Sequence, residues 1–315
     1  MLLYTFKRIL QTIPVLLGVS VIVFLTMALI PGDPAEALLG AYATPENVAR
    51  IKAQLGLDES LPERYLIWLG NVLRGDFARS YSLDRAVLDV VLERLGPTLL
   101  LAGTSLVLAA IAGLLAGTFA AVKQYGWQDR VVTLLVIIGI STPPFWLGLV
   151  LILVFAVMLG WFPVSGMFAV YGGGGILDVA HHLVLPALAL ASVVAGILGR
   201  LMRTYMLEVL REDHIRTARA MGLPERRVIY RHAFKSALVA IVPVIAMQVG
   251  FLLGGAVYIE TVFQWPGIGR MLVTAVSSRD VLLVQGGVLV VAACYVLLNL
   301  AADILQQALD PRIRA

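Results

Sequence analysis

Six uncharged apolar stretches decide what this chain can become: Ile9–Ile30, Pro97–Val122, Val131–Trp161, Leu183–Gly199, Ser236–Ile259 and Val281–Ala302. The first holds 22 residues, which as a helix is about 33 Å long and covers a hydrocarbon layer of about 30 Å. None alternates with the period of two that a barrel wall needs, so each is expected to cross as a helix. Composition points the same way, because charged residues are 14% of the chain against about 25% in soluble proteins. The expected fold class is all-α polytopic with six transmembrane helices; the third span is long enough to tilt or break.

Lys7 and Arg8 ahead of the first run imitate a signal peptide. A signal core is shorter and is followed by small residues at a cleavage site. Pro31-Gly32-Asp33-Pro34 follows here instead, so the first run reads as an uncleaved anchor. Six spans put both termini on one side. Lys7 and Arg8, Lys123 and Arg130, and Arg312 and Arg314 fall on that side, together with nine basic residues between Arg200 and Lys235. The opposite short loops hold only Arg270 and Arg279. Positive-inside therefore places both termini in the cytoplasm. The net charge of +4 is accounted for by this placement and by membrane lipid, and no nucleic-acid partner is expected.

The segment between the first two spans has its own structure. Thr44-Pro45-Glu46 reads as a helix start and Gly56 as its stop. Leu66, Leu69 and Leu73 in the stretch Leu61–Leu73 have helical spacing. Two or three short helices result, either a cover for the lipid surface or a platform for a soluble partner.

Between the fourth and fifth spans, Ile215 and Ala218 fall on one helical face with Arg216 and Arg219 beside it. Gly222 stops that helix and Pro224 can open another, so two short helices at an angle are expected. Small Ala218 and Gly222 allow close approach of another protein, whose carboxylates the arginines can reach. The other reading is that these arginines obey positive-inside and touch anionic lipid.

Here the chain resembles the permease subunits of binding-protein-dependent ABC importers, in the dipeptide/oligopeptide branch. The resemblance is carried by Ile30-Pro31-Gly32-Asp33-Pro34, Leu55-Gly56-Leu57-Asp58, Gly75-Asp76-Phe77, Arg216-Thr217-Ala218-Arg219-Ala220-Met221-Gly222-Leu223 and Arg231-His232-Ala233. It continues in Glu260-Thr261-Val262-Phe263-Gln264-Trp265-Pro266-Gly267-Ile268-Gly269 and Asp310-Pro311-Arg312-Ile313-Arg314. It implies the type I ABC importer permease fold in a bacterial or archaeal plasma membrane. Residues 1–30 would be an anchor, 31–96 an extracytoplasmic helical segment, 97–306 the permease core and 307–315 a cytoplasmic tail.

The resemblance also implies that the loop 208–235 couples to an ATPase through Arg216, Thr217, Ala218, Arg219, Gly222, Leu223, Arg226 and His232. Only Ala218 and Gly222 match the general Glu-Ala-Ala…Gly pattern, and Phe234-Lys235 lacks its later proline. Past Trp265, Arg279-Asp280-Val281-Leu282 lacks the proline that often opens the family's last span. Implied partners are a second homologous permease, two cytosolic ATPase subunits and an extracytoplasmic substrate-binding protein. No cofactor is bound by this chain; ATP and Mg belong to the partner subunits, and the permease itself is no enzyme.

Pathway candidates come from polar or broken positions inside the spans. Ser141-Thr142-Pro143-Pro144 interrupts the third span, as a packing kink or as a lining of the passage. Gln248 and Asn299 either bond between helices or face the pathway. Glu260, Trp265, Pro266 and Gly267 form a re-entrant or gate-supporting element, or Trp265 anchors at the interface. Gly172–Gly175 lacks the context of a phosphate loop, His181-His182 lacks companion ligands for zinc, and Asp303 reads as interfacial. Cys294 stands alone, so no internal disulfide forms. An ion-gradient-driven secondary transporter would want internal repeats and paired acids in the spans, and an intramembrane enzyme a polar constellation; the sequence offers neither.

Overall fold

The computed structural model describes residues 2–29, 43–54, 59–169, 171 and 174–309. Pro31–Pro34, Leu55–Asp58 with the helix stop Gly56, Gly172 and Gly173, and Asp310–Arg314 lie outside the described residues, as does the side chain of Asp303. Every regular element among the described residues is helical. In chain order they are α1 (Leu2–Ala28), α2 (Pro45–Gln54), α3 (Leu61–Leu73), α4 (Val87–Val122), α5 (Trp127–Ser141), α6 (Pro144–Leu151) and α7 (Ile176–Val209). Then come α8 (Asp213–Ala220), α9 (Phe234–Val262), α10 (Ile268–Ser277) and α11 (Val281–Leu309).

Five apolar helices among the described residues are long enough to cross: Leu10–Ala28, Val87–Val122, Ile176–Val209, Glu225–Val262 and Val281–Ala302. The expected third span is Trp127–Ser141 and Pro144–Met158, bent by 106°, a sixth crossing if its two arms make one. That is far more than a packing kink. Pro143 and Pro144 have no amide hydrogens, so the carbonyls of Gly139 and Ile140 lose the donors a continuous helix would supply. The Thr142 amide and hydroxyl both turn back to the Ile138 carbonyl, at 3.0 and 2.7 Å, and α5 ends there.

The chain divides into two compact units, Met1–Gly96 with Gly267–Leu297, and Pro97–Pro266 with Leu298–Ala315. The second unit is organised around α7, in which 67% of the apolar window is buried against 22–28% in the other unbroken spans. A helix apolar on every side belongs in the interior, and one exposing apolar surface belongs against lipid. Leu185, Leu190, Leu198, Met202 and Met206 of α7 fill this core together with Ile241, Leu252 and Ile259 of α9. Helix α4 meets α7 through glycine. A Cβ on Gly113 would stand 2.7 Å from the Ala195 carbonyl oxygen, and one on Gly117 would stand 2.7 Å from the Met202 Cβ. Backbone thus lies against backbone, the close approach that small residues four apart permit in membranes.

In the first unit, Met27, Val87, Val90, Val91, Ile268, Met271, Leu283 and Val284 share a second core. Asp280, 1% exposed, accepts hydrogen bonds from Ser80 Oγ at 2.6 Å, Ser82 Oγ at 2.8 Å and Ser82 N at 3.0 Å. It also accepts the Leu283 amide at 3.1 Å and so caps α11. A side-chain cap does what the missing proline would have done: it starts a helix at Val281. Tyr81 is pushed up to about 12 by its burial and then by the Asp280 charge, so it stays neutral.

The helices between the first two spans follow their sequence signals. Thr44 Oγ1 accepts the Asn47 amide at 3.3 Å, the expected cap of α2. α3 runs from Leu61 to Leu73 as its spacing predicted, its first turn closed by Glu63 against the amide and hydroxyl of Ser60 at 3.2 and 2.7 Å.

Candidate functional site

The loop between α7 and α9 is built from a glycine outwards. Gly222 has φ +74°, a left-handed conformation that glycine adopts without the Cβ penalty of other residues. It lets the Leu223 amide reach back to the Ala218 carbonyl at 3.3 Å and the Gly222 amide to Arg219 at 3.0 Å, which closes α8. Pro224 follows as an extended cap, and the Val228 amide bonds its carbonyl at 3.2 Å.

The chain does not then form a separate second short helix. Glu225–Arg227 runs through a π-helical turn, Val228–Ala233, directly into α9. No proline interrupts that stretch before Pro243, so nothing there breaks the helix. The turn at Gly222 therefore separates α8 from the beginning of the fifth apolar helix, Glu225–Val262.

Arg219 spans this corner. Its Nε and Nη2 donate to the two oxygens of Glu225 at 3.1 and 2.7 Å, a two-pronged pair. That pairing holds Arg219 above its ordinary range. Arg219 is therefore engaged in holding the turn. Ala218 and Ile215 are buried in the chain's own core, so Ala218 does not present its small side chain to a partner. Arg216 pairs with the exposed Asp213, at 3.3 Å. Leu223 and His232 are half-buried, and Thr217 and Gly222 are exposed. A Cβ on Gly222 would meet nothing within 4 Å. Pro224, Arg226, Arg227, Tyr230 and Arg231 line an open groove beside the turn. Arg227, Tyr230 and Arg231 were not among the coupling residues expected from sequence, although Arg227 and Arg231 lie four apart, one turn of helix.

At the other end of α9 the Glu260…Trp265 motif is an interior brace. Glu260 and Trp265 are both fully buried, so Trp265 is not an interfacial anchor. Thr98 Oγ1 donates to Glu260 Oε1 at 2.6 Å, and the Trp265 indole donates to the Pro97 carbonyl at 2.9 Å. The Phe263 carbonyl receives the Gly166 amide at 2.8 Å, and its ring lies 3.0 Å from where a Gly148 Cβ would be. One turn of chain thus fastens α4, α6 and the loop after α6. Pro266 is half-buried, and Gly267 is the extended residue that opens α10.

Gln248 and Asn299 are half-buried. His181 Nε2 reaches the same loop, 2.8 Å from the Trp161 carbonyl, whereas His182 Nδ1 lies 2.9 Å from the Asp178 carbonyl one turn earlier in α7 itself. Among the described residues no group of three His, Cys, Asp or Glu could hold a metal ion.

A pair not singled out from sequence lies near the loop end of α5. Arg203 Nε and Nη2 donate to Asp129 at 2.7 Å each, and the Tyr125 amide adds a bond at 3.0 Å. The residues are 74 apart in sequence, and only the packing of α5 on α7 brings them together.

The chain matches two family models. One, described as the binding-protein-dependent transport system inner membrane component, covers residues 113–315; the other, its N-terminal membrane component, covers residues 1–102. The glutathione transport system permease protein GsiC of Escherichia coli K12 is 41% identical over 314 residues, covering 100% of this chain and 99% of that one. GsiC of Salmonella choleraesuis is likewise 41% identical over the same extent.

Among solved structures, an inward-facing form of the MetNI methionine ABC transporter aligns with TM-score 0.56 at 19% identity, over 71% of this chain and 97% of that one. A second crystal form aligns with TM-score 0.57 at 18% identity, over 70% and 96%. These two show the fold. The chain therefore belongs to the family of binding-protein-dependent transport system inner-membrane components, the multi-pass permease subunits of ABC importers.

Proposed function

We propose that this chain forms half of the passage of an ATP-driven importer for small peptides, with the turn around Gly222 receiving the motion of a cytosolic ATPase. The observation that carries this reading is the build of that turn. It is exposed at Gly222, open around it, and tied to the start of a crossing helix by Arg219 and Glu225. A push on α8 passes across the turn through the Arg219–Glu225 pair and then along α9, because no break separates Glu225 from α9. ATP and Mg stay on two partner subunits; a second, homologous permease and an extracytoplasmic binding protein complete the complex. The energy for switching comes from differential binding of the partners to inward- and outward-open states.

The orientation proposed is both termini in the cytoplasm. Lys123 and Arg130 then lie on the same side as the nine basic residues between Arg200 and Lys235. That requires an even number of crossings between them, so the bent pair α5–α6 makes one crossing and α7 the next. The bend would set the Gly139 and Ile140 carbonyls where the passage needs polar backbone, with Gln248 and Asn299 as further lining. Glu260 and Trp265 would support the gate from behind. Residues 97–306 would be the transporting core, with 1–30 and 31–96 added to it.

The 41% identity to a glutathione permease supports a peptide-like substrate, and the family assignment leaves no support for an ion-gradient mechanism. The test is uptake by the full complex in vesicles, with loaded binding protein outside and ATP inside. Labelled glutathione or dipeptide is expected to accumulate with ATP and not with a non-hydrolysable analogue. Uptake by this chain alone, driven by a proton gradient, would sink the reading.

A further inference from the structure

Helix α3 (Leu61–Leu73) exposes more apolar surface than a helix bathed in water accounts for. Tyr65, Trp68, Leu69 and Val72 are half-buried, whereas Leu66 and Leu73 are 66% and 79% exposed. Leu66 and Leu73 lie two turns apart on one edge, with Leu69 beside them. From Tyr65 to Leu73 the helix carries no charge. Its charges stand at the ends, Glu63 and Arg64 at the start and Arg74 just beyond.

What covers that edge is indicated by depth. α3 meets α1 at Phe24, whose ring centroid lies 5.4 Å from that of Tyr65 and 5.8 Å from that of Trp68. The hydroxyls of Tyr65 and Ser20 are hydrogen-bonded at 2.8 Å. The apolar span of α1 ends at Ala28. Phe24 and Ser20 precede that end by four and eight residues, so they lie about 6 and about 12 Å below it. Amphipathic helices that lie in a membrane surface seat their apolar face about 5–10 Å into the boundary between headgroups and acyl chains. The crossing point falls at that depth. Ser20 is 1% exposed and also donates to the Leu17 carbonyl at 2.7 Å, so the polar atoms at this level are satisfied within the protein.

We propose that α3 is an interfacial helix lying in the outer leaflet, with Leu66, Leu69 and Leu73 among lipid acyl chains. The occupant of the exposed edge is lipid, continuous with the lipid-facing side of α1, and a soluble partner does not dock there. Only the choice of leaflet rests on the orientation proposed above; the immersion rests on the contact with α1.

Nitroxide labels on Leu66→Cys, Leu73→Cys and Asn71→Cys, each in a Cys294→Ser background, test it in the complete complex in phospholipid vesicles. At positions 66 and 73, oxygen, which partitions into acyl chains, is expected to relax the label severalfold more than a water-soluble nickel chelate. At exposed position 71 the order is expected to reverse. Dominance of the nickel chelate at 66 and 73 would overturn the proposal in favour of a water-facing platform. Shielding from both reagents would overturn it in favour of a covering protein. Labelling of Asn71→Cys by a membrane-impermeant thiol reagent reports the side separately. Reaction only from the cytoplasmic face would refute the orientation and leave the immersion standing.

Discussion

Leucine at Gly117 is expected to abolish recovery of folded protein. A Cβ there would stand 2.7 Å from the Met202 Cβ and 2.9 Å from the Arg203 amide nitrogen, and it would also press on the Gly199 carbonyl. Two of these three neighbours are backbone atoms of α7, the most buried helix of the second unit, so no rotamer change can relieve the contact. Overpacking ordinarily costs about 1–3 kcal/mol, and here two helices must part, which puts the cost at about 3 kcal/mol or more. Gly103 lies on the same helix with nothing within 4 Å of its Cβ position. Gly103→Leu is therefore the matched control, expected to keep its yield of monodisperse protein in detergent and its thermal midpoint. Equal loss in both variants would show that bulk on α4, and not its contact with α7, is what matters.

The second large effect is expected at Asp129. Asp129→Ala removes a carboxylate whose side chain is 6% exposed and leaves Arg203, 29% exposed, without its ionic partner. Removing one member of a buried pair costs about 3–5 kcal/mol. Partial exposure of the guanidinium reduces this to roughly 2–3 kcal/mol, because water screens what it can reach. Arg203→Leu in the Asp129→Ala background is expected to recover most of the loss, since the uncompensated charge is then gone. Thermal midpoints of the four proteins of this cycle give the coupling directly. A midpoint for the double variant as low as for Asp129→Ala alone would mean that the helix contact, and not the charge, was lost.

How much of this was legible beforehand depended on the range of the interaction. Signals within one turn or one helix were readable. Thr44 caps α2, the spacing of Leu66, Leu69 and Leu73 delimits α3, the two prolines break the third span, and Gly222 ends α8. Each of these depends on backbone chemistry that a few residues determine locally. The partners of buried polar groups were not readable. Glu260 and Thr98 are 162 residues apart, and Asp280 and Ser80 are 200 apart. Only the register of packed helices brings them together. Trp265 was open to an interfacial reading for the same reason, because its acceptor is the carbonyl of Pro97, on another helix.

One signal was present and passed over. Gly113 and Gly117 are spaced four apart, with Gly199 of the facing helix against them, a pattern that marks close helix contact in membranes. The continuity from Glu225 into α9 was hidden by Pro224, which reads as the start of a new element whether that element is a short helix or the beginning of a long one.

Gly222→Trp tests most directly whether the turn at Gly222 passes ATP-driven motion to the crossing helices. Within the chain a Cβ there meets nothing within 4 Å and the position is exposed, so the main internal cost is the left-handed backbone, about 1–2 kcal/mol. The variant should therefore fold, with a modestly lower thermal midpoint. If the turn seats against an ATPase subunit, the same indole cannot be accommodated there. Folded Gly222→Trp permease is expected, with ATP-driven uptake lost in reconstituted vesicles. Uptake at the wild-type rate by that variant would contradict this role of the turn.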